Sequence, residues 1–265
     1  MTATPKPDAY GAIDKSIDID GKIKVAVVTA YYDEDKSVLK KTADSVQAQT
    51  FSCTHIMVAD GHPNAIIDDW PAKHIKLPWS HRDCGDTPRS LGAQSALSQG
   101  FDAVAFLDAG NWYYPQHIET MVRATLQTGA QVCTGTRSLH RTDGSFMYVD
   151  PSSVGPGGAD TNCLFLSGEA LMLVPILAAI PREVSLIGDR VLWKSILARP
   201  SIKRVHVATP TVAYTTMWRI HYKAINESPP EFAKESPQGD VFSAWQNTWS
   251  PREREFWNRW IFNEH

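Results

Sequence analysis

The chain has 265 residues, of which 43% are hydrophobic and 21% are charged, a composition typical of a globular protein with one large core. Its 26 basic and 29 acidic residues leave a net charge of −3, which argues against broad electrostatic capture of DNA or RNA. We expect one domain with room for two lobes, and a compact anionic ligand in a local pocket is compatible with this charge.

No apolar run approaches the ~18 to 20 residues that span a bilayer, and the polar start of the chain lacks the apolar core of a signal peptide. We therefore predict a cytoplasmic location and no transmembrane segment. The four cysteines lie far apart without a CxxC pair, which favours separate thiols over a disulfide framework. The segment HRDCGD (81–86) contains metal-ligand side chains, but no matching second group follows, so a metal site is not predicted there.

After a flexible arm predicted over residues 1–22, the first half of the chain alternates strand and helix patterns. Strands are predicted for the apolar, β-branched segments IKVAVVTA (23–30), THIMVAD (54–60), KHIKLP (73–78), FDAVAFLDAG (101–110) and AQVCTGTRSL (130–139). Helices are predicted from Val38 to Val46, over 85–100 and over 115–129, where apolar or small residues recur at helical spacing.

This alternation indicates the α/β class, with a mainly parallel sheet flanked by helices. Ligands of such sheets bind at the carboxyl ends of the strands. The first helix has Asp35 or Ser37 as its predicted N-cap, and the helix over 85–100 has Thr87 or Asp86.

The second half has a different character. Residues 141–162 are rich in Gly, Pro, Ser and Asp and predict a long binding loop or lid. A strand and helix are predicted over 163–181, a helix over 188–198, and a strand or hairpin over 202–216. Near the end, Ser250 begins a capping box ahead of an aromatic stripe from Phe256 to Ile261. We interpret that stripe as a helix on its own domain rather than a membrane surface.

Three acids follow or adjoin predicted elements: Asp60, Asp108 and Asp189. Asp60 and Asp108 end strands of one predicted parallel sheet and should therefore face the same crevice, where carboxylates bind ribose, base or a divalent cation. Asp60 is also compatible with an ordinary Asp-Gly turn, and Asp189 with a helix N-cap. Arg89, in the first turns of its helix, is placed to meet a phosphate. Neither GxGxxG nor GxxxxGKS is present, which disfavours dinucleotide and P-loop sites.

Five segments together resemble the family 2 glycosyltransferases, which have the GT-A fold, a Rossmann-like sheet with a smaller acceptor-side half. The resemblance covers about residues 23–220. It consists of VAVVTAYYDED, IMVADG, PRSLGAQSALSQG followed by FDAVAFLDAGNWYYPQHIETMV, TNCLFLSGEAL, and IGDRVLWKSI.

The resemblance implies a role for each matching residue. Thr29 and Tyr31 would line the base and ribose, and Asp60 would bind uracil. Arg89 would face the nucleotide phosphates, and Asp108 would be the first acid of the DxD motif, near ribose and metal. Asp189 would be the base that deprotonates an acceptor hydroxyl during an inverting displacement.

The DxD position departs from the family pattern, because the chain has Asp108, Ala109, Gly110 and Asn111 there. The second carboxylate ligand for Mn²⁺ or Mg²⁺ is therefore missing. The resemblance leaves Asp108, Asn111 and a later histidine, His221 or His206, as candidate ligands of a divalent cation. We expect weak metal binding, a metal-independent variant or lost activity.

The implied organisation is a GT-A domain over 23–222, with a nucleotide half at about 23–138 and an acceptor half at about 139–222, followed by a C-terminal helical extension over 223–265 that lies on the domain. The implied function is transfer from a nucleotide-sugar donor, a UDP-sugar, to a hydroxyl of a saccharide, lipid-linked or protein acceptor. A weakened or inactive nucleotide-sugar-binding relative is the alternative. An oxidoreductase lacks its glycine fingerprint, and a nucleotidyltransferase lacks its Gly- and Lys-bearing loop.

Overall fold

The computed structural model describes residues 8–9, 13–150, 154–155, 158–237 and 239–264. Its strands are β1 (Asp8–Ala9), β2 (Val25–Tyr31), β3 (Cys53–Ala59), β4 (Ala72–Lys76), β5 (Ala103–Phe106), β6 (Trp112–Tyr113), β7 (Val132–His140), β8 (Phe146–Asp150), β9 (Val154–Gly155), β10 (Gly158–Ala159), β11 (Leu164–Ser167) and β12 (Arg204–Thr215). Its α-helices are α1 (Lys36–Gln47), α2 (Asp86–Ser98), α3 (His117–Thr128), α4 (Ile176–Ala179), α5 (Gly188–Leu197), α6 (Arg219–Lys223), α7 (Val241–Thr248) and α8 (Pro251–Trp257).

Ten strands form one mixed sheet in the order β1-β12-β7-β11-β5-β2-β3-β4, with β6 on β12 and β8 on β7. The βαβ prediction is confirmed, because β5, β2, β3 and β4 are all parallel. The prediction of a mainly parallel sheet is confirmed as well, because β12 runs parallel to both β7 and β1. β11 is the exception in this order, because it runs antiparallel to both β5 and β7; a 3₁₀ turn at Thr161–Cys163 leads into it.

Alternate residues of the central strands belong to different cores. In β2, Val25 and Val27 lie in one apolar cluster with α3, whereas Ala26 and Val28 lie in another with α2, α4 and α5. The sheet is therefore covered on both faces, as its continuous apolar strands predict.

Local sequence explains where the two helices next to the crevice begin. The Asp35 side chain accepts a hydrogen bond from Ser37 N–H, which confirms Asp35 as the N-cap of α1. The N-cap of α2 is Gly85, rather than the predicted Thr87 or Asp86, with a left-handed φ of 84°. Gly85 suits this conformation because it has no Cβ.

Two predicted segments differ from expectation or lie partly outside the described residues. The segment 141–162 is not a single loop, since β8 pairs antiparallel with β7 and β9 pairs with β10, although 151–153 and 156–157 are not described. Of the predicted arm, 1–7 and 10–12 are not described, while β1 pairs with β12 and Ile19 is buried.

The C-terminal aromatic residues lie in the same apolar cluster as α5. The capping box is confirmed, with Ser250 and Glu253 each accepting a hydrogen bond from the other residue's backbone N–H. Trp257 and Ile261 are buried. No helix in the described part of the chain is long and apolar enough to cross a membrane.

We predict that the Trp257→Ala substitution lowers the free energy of unfolding by about 3–5 kcal/mol, because it leaves a cavity beside Trp245, whose ring centroid is 4.9 Å away. Urea denaturation measures this loss. The matched control is Phe256→Ala, which removes a neighbouring ring that is 42% exposed, against 4% for Trp257, and should cost about 1 kcal/mol. Equal losses in the two variants would contradict burial of this tail.

Candidate functional site

A cleft of about 470 Å³ lies at the carboxyl ends of β2, β3 and β5. Four residues predicted for the nucleotide line it, namely Tyr31, Asp60, Arg89 and Asp108. Their convergence follows from the parallel strands, since Tyr31 ends β2, Asp60 follows β3 and Asp108 follows β5 by two residues.

Thr29 does not line the cleft. Its side chain continues the face of Val25 and Val27, is fully buried, and has its hydroxyl oxygen 2.8 Å from His55 Nε2. Burial lowers the pKa of His55 to about 3, so the imidazole is neutral. Tyr31 does line the cleft, but its hydroxyl is already engaged by His74 Nε2 at 2.7 Å and by Asn64 N–H at 2.9 Å.

Asp60 uses its carboxylate to hold the loop that forms one wall of the cleft. It accepts hydrogen bonds from the backbone N–H groups of His81 (2.9 Å) and Arg82 (3.1 Å), from His81 Nδ1 (2.7 Å) and from the Ser80 hydroxyl (3.2 Å). Burial opposes the charged form, but the hydrogen bonds from His81 and Arg82 lower the pKa of Asp60 below its usual value. These bonds stabilise Arg82 at a φ of 55°, a left-handed conformation that is strained for a side-chain-bearing residue.

Arg89 and Asp108, predicted to contact different parts of a nucleotide, form an ion pair with each other. Arg89 Nε lies 3.0 Å from Asp108 Oδ1, and Nη2 contacts the same oxygen. Arg89 Nη1 donates to the Cys84 carbonyl at 2.8 Å and lies 3.4 Å from Asp86 Oδ1. Only one of the five guanidinium N–H groups is therefore left for a ligand.

Asn162 joins this ion pair to the other half of the site. Its Oδ1 accepts from Asp108 N–H (2.7 Å) and Asn111 Nδ2 (3.1 Å), and its Nδ2 donates to Asp108 Oδ2 (2.8 Å) and Asp160 Oδ1 (2.7 Å). The residue is 1% exposed. Asn162 belongs to the segment TNCLFLSGEAL, but nothing local to an asparagine before a strand predicts its partners.

A second arginine lies beyond Asn162. Arg137 Nη2 is 2.7 Å from Asp150 Oδ2, and Nη1 contacts Asp160. The guanidinium also lies over the Tyr214 ring, 4.6 Å from its centroid, a favourable cation–π geometry. We call the connected series the polar chain, which comprises Asp86, Arg89, Asp108, Asn162, Asp160, Arg137 and Asp150. Its members come from both halves of the molecule.

Asp189 lies in the first turn of α5, which begins at Gly188 with Ile187 as N-cap. The alternative reading of Asp189 as the N-cap is therefore wrong. The side chain accepts from Arg190 N–H at 2.7 Å. Burial, assisted by the charge of Asp160 and opposed by Arg190 and Arg89, raises the pKa of Asp189 to about 6. Asp189 is next in sequence to Gly188, which lies against the Asp86 carboxyl group of the polar chain.

Asp86, the first residue of α2, is a buried acid that sequence reasoning considered only as a cap. It is 2% exposed, and its Oδ2 has no hydrogen-bond partner in the described part of the protein. Burial is the main cause that raises the pKa of Asp86 to about 8, with Arg89 opposing and Asp83, Asp189 and Asp108 reinforcing the shift. The carboxyl group is therefore mostly protonated at neutral pH.

The predicted metal ligands are occupied by other partners. Asp108 engages Arg89 through one oxygen and Asn162 through the other. Asn111 Oδ1, the candidate amide ligand, accepts from Thr215 N–H at 2.8 Å. Gly110 has a φ of 92°, a backbone conformation that residues with a side chain rarely adopt.

The two candidate histidines are also engaged. His221 Nδ1 lies 2.6 Å from the Thr216 hydroxyl, and burial lowers the pKa of His221 to about 4. His206 lies at the other end of β12, between the hydroxyls of Thr134 and Thr136. Across the residues described, no three His, Cys, Asp or Glu side chains are grouped to hold a metal ion. The donor set predicted for Mn²⁺ or Mg²⁺ does not fit the cation.

Comparisons with known proteins agree with this geometry. The sequence matches the family model described as glycosyl transferase family 2 over residues 26–184. A comparison with curated proteins yields no match. Among solved structures, TarS from S. aureus has 13% identity and a TM-score of 0.58, with 80% of this chain and 41% of that chain covered. The chain thus spans about two fifths of TarS.

Two further structures are similar at comparable levels. A shorter form of S. aureus TarS in complex with UDP has 12% identity and a TM-score of 0.56, covering 80% of this chain and 68% of that one. The mannosyltransferase PcManGT from Pyrobaculum calidifontis, in complex with GDP-Man and Mn²⁺, has 12% identity and a TM-score of 0.54, covering 86% and 70%. At these identities the likeness shows the GT-A fold.

We predict that Asp86→Asn stabilises the protein relative to wild type progressively as the pH rises. The folded wild type keeps the Asp86 proton up to about pH 8, whereas the unfolded chain loses it near 3.8. The free energy of unfolding of the wild type therefore decreases between these pH values, by up to about 1.4 kcal/mol per pH unit. Asn cannot ionise. Urea denaturation at pH 5, 7 and 9 measures the difference, which should grow up to about pH 8 and then level off. Exposed Asp20→Asn is the control, and a pH-independent difference for Asp86→Asn would contradict the shifted pKa.

Proposed function

Since the chain belongs to glycosyl transferase family 2, we propose that it transfers a sugar from a nucleotide-sugar donor in the cleft to an acceptor hydroxyl. The observation that carries this proposal is the meeting of Tyr31, Asp60, Arg89 and Asp108 at one crevice, with the shifted carboxyl group of Asp189 beside the same polar chain. Such a crevice, at the carboxyl ends of parallel strands, is the usual nucleotide site of α/β folds.

The donor we propose is a UDP-sugar. TarS has been solved with UDP and with UDP-GlcNAc, which supports a uridine nucleotide, while PcManGT carries GDP-Man. Tyr31 and Asp60 are assigned to the base and ribose side of the cleft. Because the Asp60 oxygens already accept four hydrogen bonds, a uracil N–H must share or replace one of them.

The diphosphate needs a positive charge, and Arg82 is best placed to supply it. Its side chain is exposed and lines the cleft, and within the described residues it forms no ion pair or side-chain hydrogen bond. Arg89 is largely committed to Asp108, Asp86 and the Cys84 carbonyl. A guanidinium binds phosphate oxygens through paired N–H groups, and Arg82 has all of them available.

Asp189 is proposed as the catalytic base of an inverting displacement. In this step the Asp189 carboxylate accepts the proton of the acceptor hydroxyl, the acceptor oxygen bonds to the anomeric carbon, and the bond from that carbon to the diphosphate oxygen breaks. The electron pair of the broken bond leaves with the diphosphate. A pKa near 6 suits a base that must be ionised at neutral pH yet hold a proton transiently.

The family implies a divalent cation, and PcManGT contains Mn²⁺. The candidate ligands of this chain are occupied as described, so the proposed step includes no metal. The rival proposal, a chain that binds the nucleotide-sugar with little or no turnover, is favoured by Gly110 and opposed by the retained Asp189.

We predict that UDP raises the melting temperature more than GDP does, both in EDTA and in Mn²⁺, because ligand binding stabilises the folded state.

The Arg82→Gln variant should bind UDP about tenfold more weakly, having lost a charge-assisted hydrogen bond. Arg252→Gln, which removes an exposed arginine of α8, serves as control. Calorimetry measures both affinities. Unchanged affinity in Arg82→Gln would reject its assignment, and absence of any nucleotide binding would reject the proposed function.

We predict that Asp189→Asn lowers transfer at least about 100-fold while UDP affinity changes less than about threefold, since a general base acts in the chemical step. In wild type, turnover should rise with pH through about 6 as Asp189 loses its proton. UDP release is measured with the donor that stabilises the protein in the nucleotide panel. Preserved turnover in Asp189→Asn excludes this base, whereas UDP binding with no turnover in wild type favours the binding-only rival.

A further inference from the structure

We propose that Asp86 is a positioning residue of the transfer site, which fixes Arg89 on one side and the first turn of α5, with Asp189, on the other. The inference deepens the proposed function, since its importance for transfer rests on Asp189 being the base. Its structural part, the coupling of α2 to α5 through one buried carboxyl group, stands on its own contacts.

The carboxyl group of Asp86 occupies the space that a side chain at residue 188 would need. A Cβ built on Gly188 would lie 2.6 Å from Asp86 Cγ and Oδ1 and still closer to Oδ2. This is well below any real Cβ contact distance, so one of the two groups would have to move. On its other side the carboxyl group lies 3.4 Å from Arg89 Nη1. Asp86 therefore sits between a cleft arginine and the start of the helix that carries Asp189.

The backbone conformation of residue 188 does not require glycine. Its φ of −54° and ψ of −43° are ordinary right-handed helical values, which residues with a side chain adopt without strain. Space alone accounts for a glycine there. The Gly188 backbone and the Asp86 carboxyl group thus form one contact, in which the absence of a side chain on α5 admits the acid from α2.

A second contact crosses the same boundary nearby. The Ser185 hydroxyl lies 3.5 Å from Cys84 Sγ, which joins the segment before α5 to the segment before α2. The Cys84 carbonyl oxygen also accepts a hydrogen bond from Arg89 Nη1. The residues on both sides of Asp86 are consequently fixed relative to each other, and the carboxyl group fills the gap between them.

The groups that face Asp86 favour its neutral form. Arg89 attracts a negative charge, but Asp83, Asp108 and Asp189 repel it and burial penalises it. A neutral carboxyl group can hold Arg89 and the α5 turn without adding charge beside the base. Asn has the same shape and no charge, so it should perform the same role.

A double-mutant cycle tests the contact without using activity. In wild type, Gly188→Ala should raise the equilibrium constant for unfolding roughly 30-fold, as overpacking of a buried site does. In the Asp86→Ala background the same substitution should not raise it at all, because the space is vacant and alanine favours the helix. Additive effects in the two backgrounds would overturn the contact. Urea denaturation measures all four proteins.

The positioning role is tested by the titration of Asp189. The ¹³C carboxyl signals of Asp-labelled protein are followed with pH, and Asp189 is identified by the signal missing from Asp189→Asn. In Asp86→Ala the pKa of Asp189 should fall from about 6 by roughly one unit, because the first turn of α5 loses the group packed against it and the Asp189 carboxyl group becomes better hydrated. Asp86→Asn should retain the wild-type pKa. An unchanged pKa in Asp86→Ala, or an equal fall in Asp86→Asn, would overturn positioning.

Nucleotide binding separates this proposal from the proposed function. UDP affinity is measured by calorimetry in wild type, Asp86→Asn and Asp86→Ala. If wild type binds no UDP, the proposed function fails, while the cycle and the titration still decide the role of Asp86. If UDP binds, turnover per folded protein should fall about tenfold or more in Asp86→Ala and less than about threefold in Asp86→Asn. Wild-type turnover in Asp86→Ala would overturn the role in transfer.

Discussion

An arginine removed from water is stable only where carboxylates and carbonyls replace its hydration, and this site buries Arg89 and most of the Arg137 side chain. Arg89 and Arg137 each lie between acids of different segments. Asn162 connects the two arginine groups, because its amide donates to an acid of each. The polar chain thereby joins α2 and β7 to the residue after β5 and to the turn before β11. Removing one member leaves a buried charge without its partner, the costly case for such networks.

The direction of β11 is what allows one chain of contacts to join the two halves. A parallel strand at this place would bring its carboxyl end to the cleft. Because β11 is antiparallel to β5, its amino end lies beside Phe106 and Asp108 instead, and the turn that precedes β11 presents Asp160 and Asn162 there. The mixed sheet thus supplies the cleft with polar groups from both ends of its strands. Single hydrogen bonds, such as that from Asn162 to Asp108, connect the predicted nucleotide half to the predicted acceptor half.

Much of the fold could be predicted from the sequence, because burial on both faces and helical spacing are local patterns. The positions of Asp60 and Asp108 followed from parallel strands ending at one edge. The sequence did not predict which side chains of these strands point into the cleft. Thr29 was expected in the cleft, but it lies two residues before the end of β2, fully buried, with its hydroxyl against His55.

The partners of the site residues were beyond local reasoning. Arg89 and Asp108 are nineteen residues apart, and no periodicity in the sequence predicts their ion pair. Gly110 was interpreted as a vacated ligand position, yet its φ of 92° gives it a backbone reason to be glycine. Asn162, Asp160 and Arg137 acquire their role only through long-range contacts.

The crowding between Asp86 and Gly188 also limits how the family can diverge at these two positions. A side chain gained at 188 collides with the acid at 86, so it is compatible only with a smaller residue at 86. Among relatives with this arrangement of α2 and α5, the two positions should therefore vary together: a small residue at one accompanies a large residue at the other, although they are a hundred residues apart in sequence.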